Sequence, residues 1–159
     1  MGKASKTNAM RLLDQESISY EYKTYQTRDG KNDGISVAKK VDEPLARVFK
    51  TLVVTSDQKS IYVCMVPVDE QLSLKKVANL FNERNIDMLD LKKLQSKTGY
   101  VKGGCSPIAM KNHYPTVIHK SARDEESIVF SAGKVGVQLK MKVEDLVNVT
   151  DAIIEDIIK

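Results

Sequence analysis

At 159 residues, with 42% hydrophobic and 29% charged residues, the chain has the length and balance of one globular domain (1–159) that builds its core without disulfides or a structural metal. Its net charge of +4 is a mild basic bias, short of the dense cationic stripe with which a protein holds nucleic acid unaided. No apolar run approaches the roughly 18 residues of a membrane span, and no apolar stretch follows the basic N-terminal MGKASKTNAM, so the expectation is a cytoplasmic protein with neither secretory signal nor membrane anchor.

Met1-Gly2, with Ser5 and Lys6 behind it, matches the acylation pattern only loosely. Asn8 can cap a first helix with Ala9, Leu12 and Leu13 on its apolar face, ending near Glu16. In ISYEYKTY, Ile18, Tyr20 and Tyr22 alternate with Ser19, Glu21 and Lys23, the period of a half-buried strand. TRDGKNDG (27–34) has the composition of a flexible loop, and SVAKKV is a short helix that Pro44 keeps from continuing. VFKTLVVTS carries apolar residues on both faces, as a strand covered on both sides does, and the turn at Ser56–Lys59 returns it into IYVCMVP as a hairpin.

Residues 72–83 hold Leu74, Val77, Ala78 and Phe81 at helical spacing, with Ser73 placed to cap them. A short strand, IDML, and a helix, DLKKLQSK, lead into the glycine-rich TGYVKGGCSP. PTVIH is a short strand, and SIVFSAGKVGVQLKM reads as a second hairpin with Val137, Leu139 and Met141 on one face. A helix from about Val143 to Val147 and an apolar tail, AIIEDII, complete the chain. These elements imply the α+β class, a curved, mixed but largely antiparallel, barrel-like sheet with helices packed outside. No GxGxxG follows a first strand, which argues against a dinucleotide-binding fold.

Lys50 stands out because an ammonium inside VFKTLVV must snorkel to an edge, pair with an acid or line a cleft. GGCSP (103–107) suits a loop that offers backbone N–H groups to an oxygen, although a tight turn explains it equally well. Ser131, at the end of its strand, can aim a hydroxyl into a pocket or simply enter the hairpin turn. Cys105 has no base near it in sequence, Ser106 lacks the GxSxG elbow, and Cys64, Cys105, His113 and His119 show no ligand spacing. No triad, dyad, metal site or cofactor motif emerges.

VFKTLVV (48–54), QLSLKKVA (71–78), KTGYVKGGCSP (97–107) and SAGKVG (131–136) fall in the order and spacing of the YbaK family, which the chain resembles over nearly its whole length. KTGY followed by GG-x-SP is the most specific of these signals. That family includes proteins named EbsC, is similar to the editing domain inserted in bacterial prolyl-tRNA synthetases, and hydrolyses mischarged tRNA. The N-terminal helix and the ISYEYKTY strand place the resemblance with the YbaK subgroup, whose substrate is Cys-tRNA(Pro).

The resemblance implies a trans-editing deacylase without a cofactor, acting on aminoacyl-tRNA, partnered by prolyl-tRNA synthetase, with no role for DNA or membrane. It makes Lys50 the essential lysine and Gly103 the backbone group at the substrate carbonyl. Tyr25, Thr51, Gly104, Ser131 and Gly133 become substrate-binding positions. Asp33 stands where family members carry an aromatic residue, Gln138 where they often carry aspartate, and Ala109 where a glycine is usual. Two alternatives stay open: a deacylase for Ala-tRNA(Pro) or another small aminoacyl-tRNA, and a non-catalytic module that binds tRNA ends or a synthetase.

Overall fold

The computed structural model describes residues 5–159, and the Met1-Gly2 acylation pattern lies outside them. In chain order the elements begin α1 (Asn8–Gln15), β1 (Glu21–Thr24), α2 (Gly34–Lys40), β2 (Phe49–Ser56), β3 (Ile61–Pro67), α3 (Leu74–Leu80) and β4 (Ile86–Met88). They continue α4 (Leu91–Thr98), β5 (Thr116–His119), β6 (Ser127–Lys134), β7 (Val137–Lys142), α5 (Val143–Thr150) and β8 (Ile153–Glu155).

Strands β1, β7 and β6 form one antiparallel sheet, and β4, β2, β3, β5 and β8 form a second in which β5 and β8 run parallel to their neighbours. The sheets meet where Val48 bridges Val129, and they share a core without closing into a barrel. This is the expected α+β class, mixed and largely antiparallel.

Period-two burial explains why β2 and β3 carry apolar residues on both faces. Phe49 and Met65 look into the main core with Phe130, Leu139 and Met141 of the other sheet, Met10 and Leu13 of α1, and Leu146 of α5. Val54, Cys64 and Val66, on the opposite face, pack beneath Val77 and Ala78 of α3. Ser73 caps α3 as its position suggests, its Oγ accepting the Lys76 N–H at 3.2 Å.

Several local expectations are corrected. Thr7, not Asn8, caps α1: its Oγ1 accepts the Met10 N–H, while Asn8 becomes the first helical residue. The first strand is shorter than its alternation suggests, and Tyr22 is 41% exposed. Ile18 and Tyr20 do pack against the core, but they precede β1, and β1 is an edge strand paired only with β7. Helix α5 runs on to Thr150, and part of the C-terminal tail is β8, seated parallel on β5.

Lys23 takes the face opposite Tyr22, as its alternation suggests, in register with Gln138, and there its ammonium meets a buried carboxylate. Glu43, whose side chain is 3% exposed, accepts from Lys23 (2.9 Å), Lys140 (3.2 Å) and Arg47 (3.3 Å), and Arg47 also reaches Glu125 (2.8 Å). One carboxylate thus ties β1 and β7 to the segment that follows α2. Burial works to raise the Glu43 pKa, yet the two ammonium groups outweigh it and hold the carboxyl below its usual range.

The linkage has a definite sign. A depressed folded pKa stabilises the protein fully above the unfolded value of about 4.3, and that contribution disappears as pH falls through the folded value. Glu43→Gln is expected to cost about 2 kcal/mol at neutral pH, toward the low side for a broken buried pair because its cations remain partly solvated. Chemical denaturation from pH 7 to pH 3 should show wild type and variant converging at the acid end.

Candidate active site

Along its whole length β2 is paired on one edge with β3, but its outer edge is met only at the two ends. Val48 bridges β6 at one end, and β4 pairs from Val54 to Ser56 at the other. Val53 turns its carbonyl outward to accept the Leu89 N–H at 3.0 Å. Backbone groups in a strand alternate direction, so Thr51, two residues earlier, faces the same way with no strand opposite it.

A cavity of about 450 Å³ opens along this unpaired edge. Lys50, Thr51, Leu52 and Val53 of β2 line it, with Asn32, Asp33 and Gly34 at the start of α2, Leu89 and Leu94 on an apolar side, and Gly103 and Cys105 of the glycine loop. Tyr25, Ser131 and Gln138 complete a polar side. The sequence therefore brings Lys50, Gly103, Tyr25, Thr51 and Ser131 to one hollow, together with both family departures, Asp33 and Gln138.

Lys50 is half-buried and, among the described residues, makes no ion pair. Of the three readings open to it, it takes the one that lines a cleft. Thr51 Oγ1 and Asn32 Oδ1 are buried polar atoms with no hydrogen-bond partner among the described residues, and both residues line the cavity. Each orphan of this kind costs about 1–3 kcal/mol while it stays without a partner. Asn32 is a position that sequence reasoning missed, because a polar residue in a polar loop carries no periodic signal.

Gly104 and Gly133 lie outside the cavity lining and act on its walls. The Gly104 N–H donates to the Val101 carbonyl at 3.0 Å, and a Cβ there would come within 3.0 Å of the Val135 nitrogen. At Gly133, in a left-handed conformation with φ of +100°, a Cβ would stand 2.8 Å from the Tyr100 ring. The Tyr100 hydroxyl in turn donates to the Ile108 carbonyl at 2.5 Å. These two glycines let the β6–β7 turn clamp the 99–109 loop, so that Gly103 is held at the edge of the hollow. The Ser131 hydroxyl accepts the Gly133 N–H at 3.1 Å and so braces the irregular register of that hairpin.

On the opposite wall, the loop that looks flexible by composition is gathered by Lys40, whose ammonium donates to the Gln26 carbonyl (2.8 Å), the Lys31 carbonyl (2.9 Å) and Asp29 (2.8 Å). All three donors are used, and the ammonium also lies 5.8 Å from the centre of the Tyr25 ring. Asp33 caps α2, accepting from the Ser36 N–H (3.1 Å) and hydroxyl (2.7 Å), and these bonds hold its carboxyl below the usual range. Gln138 is 6% exposed and lies opposite Ser131 and Lys23 in the sheet.

Cys105 is in the lining but chemically muted: burial pushes its thiol up to about 12, against a smaller opposing hydrogen bond from Thr98. A thiol in that range holds almost no thiolate at neutral pH.

A hollow on an open strand edge, walled by a lysine, a clamped glycine loop and unpartnered acceptors, is a site for a small polar ligand carrying an anionic or carbonyl group. Residues 33–149 match the family model described as the aminoacyl-tRNA editing domain, and the chain belongs to that family. It is 36% identical over 146 residues to an Enterococcus faecalis protein, EbsC, whose name proposes Cys-tRNA(Pro)/Cys-tRNA(Cys) deacylase activity; the alignment spans 92% of this chain and 89% of that one.

Among solved structures it resembles a proposed trans-editing enzyme for prolyl tRNA synthetase, with TM-score 0.84 at 16% identity over 98% of this chain and 99% of the other. The hypothetical protein APE2540 gives the same TM-score at 18% identity over 94% and 97%. At these identities the likeness is one of fold.

Thr51→Val separates ligand binding from folding. The hydroxyl has no partner in the free protein, so its loss should leave the melting temperature unchanged or raise it, while deacylation by the variant falls by about tenfold. A lower melting temperature with unchanged turnover would assign the hydroxyl to the fold instead.

Proposed function

We propose that the chain works as one cytoplasmic editing unit, a trans-acting aminoacyl-tRNA deacylase that removes cysteine from Cys-tRNA(Pro). The observation that carries this reading is the convergence of Lys50, Gly103 and the unpartnered Thr51 hydroxyl on one cavity at the open edge of β2. The relative named for Cys-tRNA(Pro) and Cys-tRNA(Cys) supports the choice of amino acid. Among the described residues no helix is long and apolar enough to cross a membrane. Prolyl-tRNA synthetase is the proposed partner, since the modest net charge of +4 leaves tRNA affinity to be supplemented from elsewhere.

The chemistry follows from the groups the cavity offers. An aminoacyl ester is already activated, and a cysteinyl ester brings its own nucleophile. The substrate sulfur attacks its own carbonyl carbon, a C–S bond forms, and the C–O bond to the terminal ribose breaks. The thiol proton ends on the ribose hydroxyl, leaving free tRNA and a four-membered thiolactone that water opens to cysteine.

The protein's part is to fold the aminoacyl arm into that geometry and to hold the developing oxyanion at the Gly103 backbone. Lys50 orients the terminal ribose or phosphate and adds positive charge. Cys105, with its thiol pushed up to about 12, has no covalent role in this scheme.

Purified protein should clear Cys-tRNA(Pro). Lys50→Ala should lower kcat/KM by about a hundredfold or more, the scale of losing a preorganised electrostatic group, whereas Cys105→Ser should stay within about threefold of wild type. Complete loss with Cys105→Ser would overturn the substrate-thiol mechanism. A panel of Cys-, Ala- and Ser-charged tRNAs then tests the choice of amino acid, preferential loss of alanine being the result that contradicts it.

A further inference from the structure

The cavity has an asymmetric rim. Met88 and Leu91 both line it, yet they are 48% and 60% exposed. Val101, in the loop after α4, is 48% exposed, so three of the six exposed large hydrophobics among the described residues fall between positions 88 and 102. An apolar cluster left open at the mouth of a hollow is an unpartnered contact surface.

The same stretch is strongly cationic. Residues 86–111 contain five lysines (Lys92, Lys93, Lys97, Lys102 and Lys111) against two acids, Asp87 and Asp90. None of these lysines makes an ion pair among the described residues; lysines elsewhere, such as Lys120 and Lys142, are also unpaired, so what marks this stretch is five of them within 26 residues beside an exposed apolar rim. Asp90 is occupied as the cap of α4, accepting the Lys92 N–H at 3.0 Å. Asp87 precedes Met88 in β4, and alternation turns the two side chains to opposite faces. Lys102 itself lines the cavity.

We infer that this lip, Met88 and Leu91 flanked by Lys92, Lys93 and Lys102, is the docking surface for the 3′-terminal nucleotides of the tRNA. The inference rests on the deacylase reading above and extends it from the cavity to the polynucleotide outside. A cavity of about 450 Å³ takes an aminoacyl group with its ribose, and the rest of the strand must leave across the rim. Single-strand binding sets a surface on which a base can rest beside cations for the adjoining phosphates, and here Met88 and Leu91 offer aliphatic contact to a base edge or face rather than an aromatic stack. It also answers a difficulty of charge, because a chain of only +4 can still hold RNA where a local excess of five lysines over two acids meets the strand.

The test uses two double variants, Lys92→Glu/Lys93→Glu at the lip and Lys120→Glu/Lys142→Glu away from the cavity, which carry the same change in net charge. Deacylation of Cys-tRNA(Pro) is followed across a salt series, and binding of a 5′-fluorescein acceptor-stem hairpin ending in CCA is read by anisotropy. The lip variant should raise KM and the hairpin Kd about tenfold at low salt with kcat held within twofold, and flatten the salt slope by about 1.4, roughly 0.7 for each phosphate that no longer meets a lysine. The distal variant should show much smaller changes in both. Leu91→Gln should raise KM without altering the slope.

Equal effects from the two double variants, or no effect from either, would overturn the inference. So would a lip variant with unchanged RNA binding that loses only a stimulation by added prolyl-tRNA synthetase, since the face would then dock protein. The deacylase reading fails separately, when wild type clears none of the charged tRNAs; the hairpin titration still decides the lip in that case.

Discussion

A β-strand has two edges, and each residue's backbone polar groups need a partner on one of them. In β2 the inner edge is satisfied by β3 throughout, while the outer edge is shared between β6 and β4 with a gap between them. Thr51 sits in that gap, with its hydroxyl also unpartnered. The candidate site depends on this break in pairing, because a fully paired β2 would leave no edge along which a ligand could lie. Lys50 gains its place from the same cause: on a strand otherwise covered on both faces, the open edge is where an ammonium stays hydrated without an acid beside it.

The rest of the molecule holds that gap open. Gly104 and Gly133 allow the β6–β7 turn to press against the 99–109 loop, where a side chain at either position would collide with the Val135 backbone or the Tyr100 ring. Lys40 fastens the loop that carries Tyr25 and Asn32. Glu43 pins β1 and β7 behind it through Lys23 and Lys140. Lys40, Glu43, Gly104 and Gly133 lie outside the cavity lining; together they fix the walls between which Lys50, Thr51 and Gly103 stand.

Much of this is legible in the sequence. The two hairpins, the α3 cap at Ser73 and the doubly covered character of β2 follow from local alternation and spacing, which are properties of a few neighbouring residues. What local pattern misses is settled by distant partners. Nothing local announces that Glu43 gathers Lys23 and Lys140, and β8 is too short for any period to reveal before β5 receives it. Lys50 is conspicuous as a charge in an oily strand, whereas Asn32 becomes visible only when the cavity and its missing hydrogen bond are seen together. The family resemblance turns both glycines of the motif toward substrate; in the fold Gly103 lines the cavity, whereas Gly104 lies outside the lining and meets the hairpin.

The most direct measurement is an NMR titration of the ¹⁵N-labelled protein with adenosine carrying cysteine through a non-hydrolysable 3′-amide. The amides of Thr51 and Gly103 should shift together and saturably, with Gly104, already bonded to Val101, moving far less. Saturable binding that leaves Thr51 and Gly103 unmoved while shifting amides elsewhere would show that the gap in β2 is not where the aminoacyl end is held.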